Sequence, residues 1–371
     1  ETLLVQVLEM SRRLHPGAHL TVASSLHNLA LVWLDLGRAA EAEPLFVQAL
    51  EMRRQLQSGD NLNVATCMNS LAAAWLNLGR AAEAEPLFIQ ALEMRRRLNQ
   101  GDHPNVATSL TGLAGARLAL GRPVEAETLF TQALEMNQRL FKGDHFAVAA
   151  SLSELADTWR TMGRVSEAEP HLVKALEMHQ RLFKGDHPKV ALSLKALAEA
   201  RKSLGRLTEA KALAVEALEM SRRLYMGDHP EIAMCLNSLA NVQEALGARA
   251  DSEALRVLAL EMLQRLHPGD HPSVSRGLNN LAETRQGLGR LTEAETLFVE
   301  ALEMRRRLYP GDHPDVARGL SELASVRWKL GRAAESDSLH SEALEMYRRV
   351  WKRDHIGVAS CLQILASVRL K

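Results

Sequence analysis

Every landmark in this sequence comes back after 42 residues. The triplet Gly-Asp-His begins at Gly101, Gly143, Gly185, Gly227, Gly269 and Gly311. Leu-Gly recurs with its glycine at 37, 79, 121, 205, 247, 289 and 331, with Met-Gly at Gly163, and Leu-Glu-Met closes a segment nine times, from Met10 to Met346. No insertion or deletion interrupts the series. The length of 371 residues alone would allow two or three domains. A fixed period instead means a repeat array, in which each unit is one supersecondary motif.

A complete unit, residues 313–354, holds two helices. The first, helix A, starts at a proline, which suits the first helical position because its missing N–H would be unpaired there. The residue before proline is pushed to extended geometry, where an N-cap belongs. Val316, Leu320, Leu323 and Ala324 follow at helical spacing, and the Leu-Gly-Arg that ends the helix puts glycine at the left-handed capping position. Helix B opens with acids, Glu41 and Glu43 in the first copy, and closes with bases, Arg53 and Arg54, which complements the helix dipole at both ends. Its apolar stripe is Leu45, Phe46, Ala49, Leu50 and Met52, and small residues at Ala30, Ala42 and Ala49 let helices approach closely. The Gly-Asp-His-Pro segment then reads as the turn from helix B to the next helix A, with Asp making a side-chain turn. It does not read as a metal site: ligands must converge at about 2 Å, and one histidine per repeat does not converge. No metal and no cofactor is expected.

Composition narrows the classes of function. Lysine plus arginine and aspartate plus glutamate both number 45, so the formal net charge is zero, and no global field draws in nucleic acid or an anionic membrane. The chain is 46% hydrophobic, yet no apolar run approaches the ~18–20 residues of a membrane span. It opens at Glu1 in mid-pattern, as a piece of a longer protein would. Cys67, Cys235 and Cys361 lie whole periods apart, too distant for the ~7 Å that a disulfide allows. They read as free thiols in a reducing, cytoplasmic compartment. There is no P-loop, Gly-rich nucleotide fingerprint, HExxH or CxxC, so no enzyme is expected. The Arg95–Arg97 and Arg305–Arg307 runs recur at helix B C-termini and read as dipole complements.

Aligned on Gly37, residues 28–52 resemble a tetratricopeptide repeat (TPR): Leu29, Ala30, Trp33, Gly37, Ala42, Phe46 and Ala49 fall on that family's packing positions. Ala30 stands where the common repeat has glycine. The 42-residue period and "HPxVA" at the start of helix A resemble the repeats of kinesin light chains and their bacterial relatives, over the whole chain. The expected fold is all-α, an α-solenoid of stacked helix-turn-helix units forming a right-handed superhelix. The boundaries are a lone helix B (1–18), eight A–B units (19–60, 61–102, 103–144, 145–186, 187–228, 229–270, 271–312 and 313–354) and a lone helix A (355–371). In the sixth unit, Ala248 replaces the usual arginine and Arg256 the core phenylalanine, so local loosening is expected there.

In tetratricopeptide repeats the A helices line a concave groove. The matching positions here are His27, Asn28, Leu31 and Leu34, then Asn69, Leu76 and Leu118, an apolar stretch. They continue with Asp157, Arg160, Lys195, Glu199 and Lys202, and with Asn237, Asn241, Arg276, Asn279, Asn280, Glu283, Arg318 and Trp328, a polar one. Asparagine offers both donor and acceptor, which suits a peptide backbone. The function expected is that of an interaction scaffold binding an extended peptide or partner helix in this groove. The alternative is a structural or sensor arm of a larger signalling ATPase or protease. The ends carry no polar capping repeat, so head-to-tail self-association is also expected, the final helix A of one copy packing on Leu3, Leu4, Val7 and Leu8 of the next.

Overall fold

The computed structural model describes residues 1–350 together with Val358 and Leu362. Apart from Val358 and Leu362, the lone helix A expected over 355–371 lies outside the described residues, as does Cys361. The chain divides into two compact units, Glu1–Arg164 and Val165–Lys371. Among the described residues there are seventeen α-helices and no strand.

The first unit holds α1 (Thr2–Leu14), α2 (Leu20–Asp35), α3 (Ala39–Leu56), α4 (Leu62–Asn77), α5 (Ala81–Leu98), α6 (Pro104–Ala119), α7 (Pro123–Leu140) and α8 (Phe146–Thr161). The second holds α9 (Val165–Leu182), α10 (Pro188–Ser203), α11 (Leu207–Leu224), α12 (Pro230–Ala245), α13 (Arg249–Leu266), α14 (Pro272–Gly287), α15 (Leu291–Leu308), α16 (Pro314–Lys329) and α17 (Ala333–Val350). Even-numbered helices are the A helices and odd-numbered ones the B helices. Within each unit an A helix packs on the B helix before it and on the B helix after it, as α3–α4–α5 and α11–α12–α13 do. The fold is thus an all-α solenoid of consecutive helix pairs.

The local chemistry that starts and stops these helices repeats as strictly as the sequence. At seven A helices the N-cap is the histidine of the turn: in α6 the Nδ1 of His103 accepts the backbone N–H of Asn105 at 3.1 Å. Asn61 does the same for α4 through its Oδ1. The Asp of the turn does not make a local turn as expected. Asp102 instead pairs with Arg139, 37 residues on, at 2.6 Å, and Asp60–Arg97 and Asp228–Arg265 repeat the pair. At the other end, Gly37 has φ +77°, a region that only glycine enters without strain, and this lets Arg38 N–H close on Trp33 C=O at 2.8 Å.

Acids that looked like solvated first-turn residues are shared between repeats. Glu43 accepts from Trp75 Nε1 and from Arg80 Nη1, both at 2.7 Å, while the same guanidinium holds Glu83. The pattern recurs at Glu85–Arg122 and Glu127–Arg164, and in the second unit at Glu169–Arg206, Glu253–Arg290 and Glu295–Arg332. One junction breaks it. Where the series demands a glutamate, an aromatic or arginine, and an arginine, the sequence has Lys211, Gln243 and Ala248.

The core runs along the helix pairs. Ala30, Ala42 and Ala49 are fully buried, as are Phe46 and its equivalent Phe88, each worth ~1.5–3 kcal/mol as a buried phenylalanine. Arg256 occupies the same position, and the loosening expected there is not what the structure shows. Its guanidinium is buried and held by Asn241 Oδ1 (3.0 Å), Glu244 (2.8 Å) and the Asn280 carbonyl. The bases read as dipole complements also divide. Arg97 pairs with Asp60, whereas Arg95 and Arg305 are buried.

Candidate protein-interaction wall

The A helices carry the core on two faces, because a B helix lies on either side. What remains is a strip at the 24, 27, 28, 31 and 34 positions of the first unit's α2 and their equivalents. The core positions repeat nearly unchanged; the strip changes chemistry from helix to helix.

The structure sorts the candidate residues by access. Asn28, Leu31, Asp157, Arg276, Glu283 and Arg318 are exposed. Leu34, Asn69, Leu76, Leu118, Arg160, Lys195, Glu199, Lys202, Asn237, Asn241, Asn280 and Trp328 are partly buried. Two candidates go inside instead. His27 packs edge-on to Phe46 with Cys67 Sγ 3.4 Å from its Nδ1, and burial, with Arg53 beside it, pushes its pKa down to about 4. Asn279 is buried and donates to Glu283 at 3.1 Å. A strip flanked on both sides by packed helices draws its inner edge into the core, and helical spacing alone does not separate that edge from the open one.

On the second unit the strip is a bonded polar cluster. Glu199 accepts from Lys202, Ser238 Oγ (2.9 Å) and Asn241 Nδ2 (3.2 Å). Burial pushes its carboxyl up, but these donors bring it below the usual carboxylate range. Asn280 donates to Asn237 at 3.2 Å. Glu283 stands at the exposed edge of the cluster, and partial desolvation of its carboxyl, with Glu322 and Glu244 nearby, holds its pKa up. The asparagines that a peptide backbone would use are therefore already bonded within the wall, Asn237 with Asn280, Asn241 with Glu199 and Asn279 with Glu283.

On the first unit the strip opens into a hollow of about 330 Å³. Its lining includes the Phe88 and Phe130 rings, Leu76, Ala73 and two mid-helix glycines of α6, Gly112 and Gly115. Those glycines, with Asn77, Thr108 and Thr111, were not among the candidates drawn from the sequence. The signal was present: the third repeat puts glycine at two strip positions where the others carry Asn28 and Leu31 or Glu154 and Asp157.

Among the described residues no group of three or more His, Cys, Asp or Glu could hold a metal ion, and no helix is long and apolar enough to cross a membrane. Cys67 and Cys235 are free and buried, and burial raises both thiol pKa values.

Stacked helix pairs with a largely repeated core and a more variable strip define a repeat scaffold of the kind typical of protein–protein interaction. The tetratricopeptide-repeat profile matches residues 21–76, 72–139, 113–178, 147–222, 197–265, 250–307 and 273–349. The chain belongs to the tetratricopeptide-repeat family. Among solved structures it is similar to BtubC (BKLC) from P. vanneervenii, at 24% identity over 64% of this chain and 94% of that one, with a TM-score of 0.51. It is similar in fold to a Rap protein complexed with Competence and Sporulation Factor, at 12% identity, 94% and 98% coverage and TM-score 0.59. It is also similar in fold to PH0952 from Pyrococcus horikoshii, a signal transduction ATPase (STAND) with a tetratricopeptide repeat sensor, at 16% identity, 95% and 49% coverage and TM-score 0.53. No match is found among curated protein sequences.

Proposed function

We propose that the A-helix strips grip extended segments of partner protein, the first unit's strip taking apolar side chains and the second unit's strip polar ones. The observation that carries this reading is the contrast between core positions such as Ala30 and Ala49, alanine in every A–B unit, and a strip that runs from Leu34, Leu76 and Leu118 to Arg160, Lys202 and Trp328. A purely mechanical spacer has no use for such variation. Neither an enzymatic role nor a cofactor enters the reading, and the protein acts in the cytoplasm. Photo-crosslinking tests it. A benzophenone side chain at Leu76 or Asn237 is expected to trap partner protein in cell extract, while one at Arg54 or Glu219, on B helices, is not. Equal trapping at all four positions overturns the reading.

A second reading, an arm acting through a neighbouring domain or a second copy, is favoured by α1. Leu3 and Val7 are exposed there, at positions whose equivalents Leu87 and Ala91 are buried. Leu8, by contrast, is already buried. Head-to-tail association would use this exposed stripe. Leu3→Lys with Val7→Lys is then expected to lower the sedimentation coefficient of concentrated protein; a coefficient already that of a monomer rules out self-association.

A further inference from the structure

We propose that the first unit binds small oxyanions of the phosphate kind at two buried arginines, Arg53 and Arg95, neither of which has a carboxylate of its own. The proposal is independent of what the strip grips.

Three B helices carry arginine at the same place in the repeat: Arg53 on α3, Arg95 on α5 and Arg305 on α15. All three are buried. Arg305 has its counter-ion built in, because Glu322 of the next A helix meets its Nη1 at 2.9 Å. The residues in Glu322's place are Ser70 for Arg53 and Gly112 for Arg95. The guanidiniums of Arg95 and Arg305 sit alike. Nη1 donates to the Asn105 carbonyl in one and to the Asp315 carbonyl in the other, and these carbonyls are equivalent in the repeat.

No neighbour replaces the carboxylate. Arg53 donates to Ser24 Oγ at 3.0 Å. Arg95 donates to the Asn105 carbonyl, Ser109 Oγ and Thr66 Oγ1. All these acceptors are neutral, and the Nε of each arginine finds none. The three A helices beside them, α2, α4 and α6, contain a single acid, Asp35, at the last residue of α2. Burial pushes the Arg95 pKa down to about 10, and Arg53 adds to the burial that lowers His27. Both guanidiniums stay charged at neutral pH, and a buried charge without a counter-ion is costly. Phosphate and related oxyanions match the fork of donors that a guanidinium presents. Burial selects a compact ion. Arg53 is 8% exposed and Arg95 3%, and both are bonded to half-buried strip hydroxyls, so an ion with no trailing main chain suits them. For Arg95 the approach is the hollow. Asn69 and Gly112 line it, and Asn69 Oδ1 accepts from Ser109, itself bonded to Arg95.

Thermal unfolding in sodium phosphate against sodium chloride, at pH 7.5 and constant ionic strength, tests this. The melting temperature is expected to rise with phosphate and level off, as mass action on a folded-state site requires. Exclusion of phosphate from the surface gives a rise that does not level off. Arg53→Met combined with Arg95→Met is expected to fold, since an apolar replacement for a buried charge is commonly neutral or better, and to lose the saturable part. Ser70→Glu supplies Arg53 with the counterpart of Glu322. It is expected to raise the melting temperature without phosphate and to weaken the response. Glu322→Gln strips Arg305 of its partner and is expected to gain a response. In the unaltered protein, phosphate is expected to move the Nε–H resonances of two arginines along saturable curves. A rise that never levels off, arginine resonances that do not move, or an unaltered response in the folded double variant overturns the proposal.

Discussion

At Gly115 and Gly112 the same substitution is expected to have opposite signs. Gly115→Ala adds a β-carbon in ordinary van der Waals contact and removes backbone freedom from the unfolded chain, so it is expected to stabilise by roughly 0.5–1 kcal/mol. Gly112→Ala drives a β-carbon into the Phe88 ring and is expected to destabilise by about 1–3 kcal/mol. Urea titration of the two proteins reads both signs. His27 makes a second residue-scale prediction. Its side chain, beside Arg53 and Cys67, has a pKa pushed from 6.5 down to about 4 by burial. As pH falls through about 6.5 the unfolded chain takes up this proton and the folded protein does not, so the stabilisation present above that pH is lost progressively toward pH 4. The loss is on the order of 3 kcal/mol for this residue. His271 shares the window, lowered to about 4 by burial and by His267 and Arg276, and its Nδ1 must stay unprotonated to accept Ser273 N–H. Unfolding curves at pH 7.5, 5.5 and 4.5 are expected to shift to lower urea in that order, with a shallower trend in His27→Leu. A flat trend refutes the assignment.

Between elements, the recurring unit of cohesion is the arginine that reaches back to a glutamate of the preceding repeat. Both partners, and the Trp or Arg that shares the glutamate, change together at Lys211, Gln243 and Ala248. Helices α11, α12 and α13 keep full length there and the polar tether of Arg256 lies in the same repeat, so apolar packing carries this junction without its surface clip. Lys211→Glu combined with Ala248→Arg supplies the missing pair and is expected to add roughly 0.2–1 kcal/mol, the ordinary worth of an exposed pair. A double-mutant cycle by thermal unfolding, at low and high salt, isolates the coupling. Additive single mutants would mean that the ladder contributes nothing here.

Over the whole molecule, the period of 42 fixes helix number, length and partners, because each helix can bury its apolar stripe only against the next copy. Caps were legible in place but not in chemistry: the residue before proline is the N-cap, yet that histidine rather than aspartate does the capping depends on Nδ1 reaching forward to the N–H two residues on. The salt ladders were hidden for a simpler reason. Their partners stand 37 residues apart, and inspection within a single repeat never sets them side by side. The strip was legible as a set of positions, but His27 and Asn279 show that its inner edge belongs to the core. The hollow at Gly115 comes from an absent side chain, which hydrophobic periodicity does not register. The ladder has one more consequence. Within the second unit the described joints at Glu169–Arg206, Glu253–Arg290 and Glu295–Arg332 share one rivet, and the seam between α11 and the α12–α13 pair lacks it. A pull along that stack is expected to open the unriveted seam first, which makes it the unit's fuse.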